Sequence, residues 1–240
     1  MLQACLNGNR APGSHPALPL TPAELAREAR ASVAAGAQSL HLHPRGADGL
    51  ESLAAPDVAV ALTAVRAACP DIPVGVSSGL WITGDVDRRL ADIQGWTARP
   101  DFVSVNWHEP GAEVLATWLI GQGIEVEAGL FDGAAAHAFG RSPLAGRVLR
   151  ALVELPDQPA DEALREARVM LGALDAAGLT VPRLLHGSGR SAWPLVERAG
   201  EMGLATRIGL EDTLSLPDGR PAPDNAALVR VARTRLAGAC

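Results

Sequence analysis

The stretch TPAELAREARASVAAGAQSLHLHPR, residues 21–45, contains one complete helix-to-strand unit. Thr21-Pro22-Ala23-Glu24 has capping-box spacing, with proline in the first helical turn. The Ala-, Leu- and Arg-rich segment that follows reads as a helix running to Ala35 and stopped by Gly36. Ser39–His43 is then a short apolar run. As a β-strand it would turn His41 and His43 to the same face, about 7 Å apart along the chain.

The same unit recurs in both directions. Candidate strands are Leu2–Leu6, Ser39–His43, Pro73–Ser77, Phe102–Val105, Ile124–Gly129, Val148–Val153, Arg183–His186 and Thr206–Gly209. A helical segment follows each, the later ones beginning near Pro56, Val86, Gly111, Asp132, Ala160, Ala192 and Asp224. Gly178 and Gly203 read as further C-terminal caps. Eight strand–helix units in 240 residues predict a compact single (β/α)8 barrel of the TIM type. The rival is an open doubly wound sheet, but no Gly-x-Gly-x-x-Gly follows the first strand, which argues against its dinucleotide-binding form. Pro156–Pro159 is the most loop-like internal stretch and is too short to divide domains, so residues 1–240 read as one catalytic domain.

Composition narrows the chemistry. The formal charge of −6 and the lack of any basic run argue against nucleic acid or a membrane surface as partner. No run of 18 apolar residues is present, and the first residues lack the charged start of a secretory leader. Cys5, Cys69 and Cys240 are odd in number and far apart, as expected of a reduced cytoplasmic protein. All 21 basic residues are arginine, and the absence of lysine excludes Schiff-base aldolases, pyridoxal enzymes and P-loops.

The polar residues collect at the C-terminal ends of the candidate strands, the face on which barrels build their sites. They are Asn7, His41 and His43, Ser77 and Ser78, Ser104 and Asn106, Glu127, His186 and Ser188, and Arg207, Glu211 and Asp212. Two imidazoles side by side suit a zinc-type ion. If the barrel closes, strand 8 lies beside strand 1 and brings Glu211 to the same ion, leaving an open coordination position. Asp212 would then serve as base, with Arg207 five positions earlier orienting its carboxylate. The plainer alternatives are two hydrogen-bonded strand-end histidines and a solvated acidic pair. Arg45, Arg10 and Arg190 are candidates to clamp a carboxylate or phosphate. Gly187-Ser188-Gly189-Arg190 has the form of an anion-binding nest. Ser77, Ser78, Ser104 and Asn106 offer neutral hydrogen-bonding groups at the mouth.

These residues form an ordered series that resembles the β-keto acid cleavage enzymes, whose founding activity is 3-keto-5-aminohexanoate cleavage. The series runs Asn7-Gly8, His15–Pro19, Thr21-Pro22, His41-Leu42-His43-Pro44-Arg45, Ser77-Ser78-Gly79, Ser104-Val105-Asn106, Glu127, Gly187–Arg190 and Gly209-Leu210-Glu211-Asp212. The resemblance implies a zinc barrel with His41, His43 and Glu211 as metal ligands and Arg207 and Asp212 as a catalytic dyad. It places Ser77, Ser104, Asn106 and Glu127 along the substrate pocket. The implied reaction converts a β-keto acid and acetyl-CoA to acetoacetate and a new acyl-CoA, in a homo-oligomer. Three features depart from the family pattern. Strand 6 leads into Glu154–Pro159 and not into a Pro-Gly-Gly loop, and Leu80 replaces a small glycine. Arg10 stands where one branch has an acidic pocket residue, implying an anionic substrate side chain. The competing readings are a metal-dependent hydrolase, using His41, His43, His137, His186 and Asp212, and a metal-binding homologue that has lost catalysis.

Overall fold

The computed structural model describes residues 1–237; residues 238–240, including Cys240, lie outside the described residues. Eight parallel strands alternate with eight helices. The strands are β1 (Leu2–Cys5), β2 (Ser39–Leu42), β3 (Val74–Ser77), β4 (Phe102–Asn106), β5 (Glu125–Leu130), β6 (Arg150–Leu155), β7 (Arg183–Gly187) and β8 (Thr206–Ile208). The helices are α1 (Pro22–Ala35), α2 (Ala55–Ala68), α3 (Val86–Gln94), α4 (Ala112–Gly121), α5 (Gly133–Gly140), α6 (Ala160–Ala176), α7 (Ala192–Glu201) and α8 (Asn225–Ala237). Sheet order runs β7-β6-β5-β4-β3-β2-β1-β8. A parallel bridge between Leu184 and Ala205, with Leu185 N–H donating to the Ala205 carbonyl at 2.9 Å, closes the ring between β7 and β8. The chain is a (β/α)8 barrel, as the repeat predicts.

Local chemistry sets the helix limits. Thr21 Oγ1 accepts from Glu24 N–H at 3.3 Å, and Glu24 Oε2 accepts from Thr21 N–H at 2.9 Å, so the capping box closes in both directions. Gly36, at φ 118°, ends α1 in a conformation that a side chain would strain. Asp85, Asp132 and Asp224 accept from the backbone three residues on and start α3, α5 and α8. Leu40 and Leu42 of β2 point outward and are fully buried beneath the helices, each contributing about 1.5–3 kcal/mol by burial.

Inside the barrel, alternate residues stack in layers. The floor is polar: Gln3 Nε2 donates to Glu127 Oε1 at 2.9 Å, and Arg150 Nε lies 2.7 Å from the same oxygen. The Arg150 guanidinium lies 5.4 Å from the centre of the Phe102 ring. Phe102 fits because position 75 is glycine; a Cβ there would lie 1.9 Å from the ring. The C-terminal ends of the strands lie above this floor.

Gly209 makes the tightest backbone approach. A Cβ at this position would stand 1.8 Å from the carbonyl oxygen of Cys5, because β8 presses Gly209-Leu210-Glu211-Asp212 onto the end of β1. Relieving the clash means moving backbone, and such overpacking costs about 3 kcal/mol or more. Gly209→Ala is therefore expected to lower the thermal midpoint by roughly 6–12 °C. A melt followed by circular dichroism checks this, and an unchanged midpoint would contradict the contact.

Candidate active site

The site forms where the ends of β1, β2 and β8 meet. Asn7, just past β1, grips the backbone of His43 from both sides: its Nδ2 donates to the His43 carbonyl and its Oδ1 accepts from His43 N–H, both at 2.9 Å. Gly8 follows at φ 57°, and a Cβ there would lie 2.4 Å from Glu211 Cγ. The Asn7-Gly8 pair thus fixes one imidazole and clears the path of the carboxylate.

His41 and His43 face the same space, with ring centroids 5.1 Å apart. Glu211 Oε2 lies 3.8 Å from His41 Nε2 and 3.6 Å from His43 Nε2. One ligand atom from each residue falls within 4.8 Å of the other two. The two carboxylate-to-imidazole separations are a few tenths of an ångström longer than the roughly 3.3 Å edge of a tetrahedral zinc set, a gap that small side-chain movements close. Glu211 Oε2 is buried with no hydrogen-bond partner. A buried carboxylate oxygen in that state is costly unless a cation completes it, so the residues fit a divalent metal.

Electrostatics separates the two imidazoles. Burial pushes His41 down to about 3, outweighing the nearby Glu211. Burial also disfavours charge on His43, but Glu211 and Glu51 outweigh it and raise that group to about 9. For Glu211, burial is opposed by Arg207 and both histidines, which hold its carboxyl well below the usual range.

Arg207 links the acidic residues. Its Nε donates to Asp212 Oδ1 at 3.1 Å and its Nη2 to Glu211 Oε1 at 2.8 Å, with Nη2 also 3.0 Å from Asp212 Oδ1. Asp212 is fully buried, and its Oδ2 has no hydrogen-bond partner. His186 is sealed between two carboxylates: Nδ1 lies 3.7 Å from Asp212 Oδ1 and Nε2 lies 3.4 Å from Glu154 Oε2. A cavity of about 300 Å³ opens above this cluster, with Ser77, Ser104, Asn106, Phe131, Leu152, Glu154 and Trp81 among its walls.

Four expected substrate contacts lie elsewhere. Glu127 belongs to the polar floor, one layer below the cavity, because strand alternation places it two residues beneath Gly129. Ser78 Oγ turns outward and donates to the Ser104 carbonyl at 2.6 Å. The Arg45 guanidinium donates to the carbonyls of Gly8, Arg10 and Gly49 and so braces loops. Arg10 donates to the carbonyls of Leu210 and Glu211, which removes the case for an anionic substrate side chain. The expected anion nest is filled from within: Asp157 Oδ1 accepts from Arg190 N–H at 3.1 Å and from its Nε at 2.8 Å. His137 sits on the exposed face of α5, away from the candidate metal set.

Sequence reasoning passed over three carboxylates. Glu154 was lost because β6 was expected to stop at Val153; the strand continues to Leu155 and carries Glu154 to the cavity. Glu51 returns to His43 through a tight hairpin in which Arg45 and Glu51 form an antiparallel bridge and Gly49 takes φ 78°. Asp48-Gly49 is a turn signal that marks this reversal. Glu109 accepts from Asn106 Nδ2 at 2.9 Å and from Leu80 N–H at 3.1 Å, and pairs with the buried Arg89.

Known proteins share the sequence pattern and the fold of this chain. The sequence model of the beta-keto acid cleavage enzyme family matches residues 1–153 and 158–239. A 3-keto-5-aminohexanoate cleavage enzyme of Acetoanaerobium sticklandii is 24% identical over 233 residues, spanning 90% of this chain and 83% of its own. Another 3-keto-5-aminohexanoate cleavage enzyme, from Fusobacterium nucleatum, is 38% identical over 65 residues, 27% of this chain and 24% of its own. Among solved structures, ObcA in complex with oxaloacetate superposes with a TM-score of 0.69 at 19% identity over 93% of this chain. The chain spans 64% of ObcA's length. A 3-dehydroquinate dehydratase from Geobacillus kaustophilus gives a TM-score of 0.62 at 16% identity, covering 98% of this chain and 89% of its own. At these identities the structural matches show a shared fold.

Proposed function

The chain belongs to the beta-keto acid cleavage enzyme family, and we propose that it is a zinc-dependent member. In this reading it transfers the acyl group of a β-keto acid to CoA, with acetyl-CoA as co-substrate, and the whole chain acts as one catalytic unit. The support is the convergence of His41, His43 and the unpartnered Glu211 Oε2 in one buried place. A second ObcA structure is described as a ternary complex with a C4-CoA adduct and oxalate, so CoA chemistry is found on this fold.

His41, His43 and Glu211 would hold the ion, and imidazole with carboxylate suits zinc among the borderline metals. When bound, it supplies Lewis-acid polarisation of the substrate's keto and carboxylate oxygens. Asp212, held by Arg207, removes the proton from the carbon between those two groups. That carbon attacks the thioester carbonyl of acetyl-CoA, and the CoA thiolate departs. The thiolate then adds to the original acyl carbonyl and the old C–C bond breaks. The carbon released takes its proton from Asp212, giving acetoacetate and a new acyl-CoA. Ser77, Ser104 and Asn106 donate hydrogen bonds to oxygens that gain charge, with Asn106 held in place by Glu109.

Mass spectrometry of a β-keto acid panel, incubated with and without acetyl-CoA, tests this. Acetoacetate and the matching acyl-CoA should form only with the thioester present. Turnover without it would instead mark a hydrolase, and bound metal without turnover a protein that has lost catalysis. One observation favours keeping the hydrolase in view: β6 reaches α6 through four residues, Pro156–Pro159, with no glycine.

A cytoplasmic, homo-oligomeric enzyme acting on small molecules completes the proposal. Cys5 and Cys69 are buried free thiols, in keeping with a reducing compartment, and no described helix is long and apolar enough to cross a membrane. The His43 environment makes metal binding sensitive to pH. A group raised to about 9 carries a proton at neutrality, and an incoming ion must displace it from Nε2. His41, at about 3, releases nothing in that range. Apparent zinc affinity is therefore expected to fall about tenfold per pH unit on descending below about 9. Chelator competition at several pH values measures this, and a flat profile would contradict it.

A further inference from the structure

Trp81 is the most solvent-exposed aromatic near the site, at 49%, yet it is held from three sides. Its indole packs flat on Gly79, where a Cβ would lie 2.3 Å from the ring. Its Nε1–H donates to Glu51 Oε2 at 2.9 Å. The backbone N–H of Leu80, which begins the turn carrying Trp81, is fixed by Glu109, itself paired with the buried Arg89.

The ring it stays beside is His43. The two planes are 24° apart, with centroids separated by 6.4 Å. The other oxygen of Glu51 lies 2.5 Å from His43 Nδ1. One carboxylate thus joins a half-exposed indole to an imidazole whose far nitrogen faces Glu211. His41 lacks any equivalent: its Nδ1 is buried without a partner. The hairpin Arg45–Glu51 and the turn at Leu80–Ile82, from different βα loops, are joined by this contact chain.

We propose that Glu51 and Trp81 form an outer layer of the cation site, in which Glu51 sets the tautomer and orientation of His43 and Trp81 locks Glu51 while walling the ion from solvent. With Nδ1–H donated to Glu51, the Nε2 lone pair is aimed at the ion, and the carboxylate makes that nitrogen a stronger donor. The Trp81 hydrogen bond stops Glu51 from rotating out to water. This outer layer presupposes that His41, His43 and Glu211 hold a cation, as proposed above. Glu51 and Trp81 are positioning residues and need not touch substrate.

Cobalt(II), which quenches nearby indole emission, tests the layer without any assay of turnover. It is titrated into cation-free wild type, H41A, E51Q and W81F, with affinity taken from chelator competition and folding checked by thermal melts. Wild type should bind one cobalt with loss of part of its tryptophan emission. E51Q should bind about 10–100-fold more weakly, since partners of metal-bound histidine have effects of this size, and should still be quenched at saturation. W81F keeps a ring on Gly79 but loses the N–H, so it should bind several-fold more weakly and lose most of the quench. Trp81 stacks on His43, a proposed ligand, so its emission reports directly on the ion. Unchanged affinity in E51Q, or an undiminished quench in W81F, would overturn the outer layer while H41A alone loses the ion. If wild type binds no cobalt, or H41A binds as tightly, the ligand assignment fails and the outer layer with it.

Discussion

Asp212→Asn is expected to lower kcat by about 10³-fold while leaving metal content unchanged. Positioned proton transfer is worth about 10²–10⁴-fold, and the substitution removes that function with little change in shape. An asparagine oxygen still accepts from Arg207 Nε, and Arg207 keeps Glu211 and Glu154 as charge partners. The unpartnered Oδ2 becomes an amide that cannot take a proton. The same variant should lose exchange of solvent deuterium into the carbon between the two carbonyl groups of the keto acid. Retained exchange with lost turnover would place Asp212 outside the proton-transfer step.

His41→Ala is expected to remove both the ion and the reaction. Lewis-acid stabilisation amounts to several kcal/mol, and at 1.36 kcal/mol per decade its loss lowers turnover by roughly 10³-fold or more. Metal analysis of the purified variant should find well under one ion per chain. His41 is the informative choice because burial keeps it neutral and nothing holds its Nδ1. Apart from cation binding, its removal breaks no hydrogen bond. A variant that kept a full complement of metal and near wild-type kcat would remove His41 from the ligand set.

The barrel was legible because each βα unit carries its own punctuation. The capping box at Thr21, the stop at Gly36 and the apolar runs lie within a few residues of one another and need no tertiary information. The pair His41 and His43 was legible for the same reason, since two-residue alternation is local. Closure of the ring brought Glu211 to them from the opposite end of the chain.

What the sequence obscured depends on end points and long-range partners. Ending β6 at Val153 dropped Glu154 from the strand-end set, and one further alternation would have recovered it. Arg10 and Arg45 looked like ligand clamps because an unpaired guanidinium near a site suggests an anion. In the fold both donate to loop carbonyls, and no sequence pattern announces that role. Glu127 was misplaced by depth: it lies on an inward face, but in the wrong layer. Glu109 meets Arg89 through the packing of α3 against the β4 loop, a contact invisible to local periodicity.

X-ray absorption at the zinc edge of the loaded protein addresses the ligand set directly. One ion per chain is expected, with a first shell of nitrogen and oxygen near 2.0–2.1 Å, the range for imidazole and carboxylate ligands, and with imidazole scattering beyond it. A sulfur shell near 2.3 Å, or a spectrum without imidazole features, would contradict a cation held by His41, His43 and Glu211.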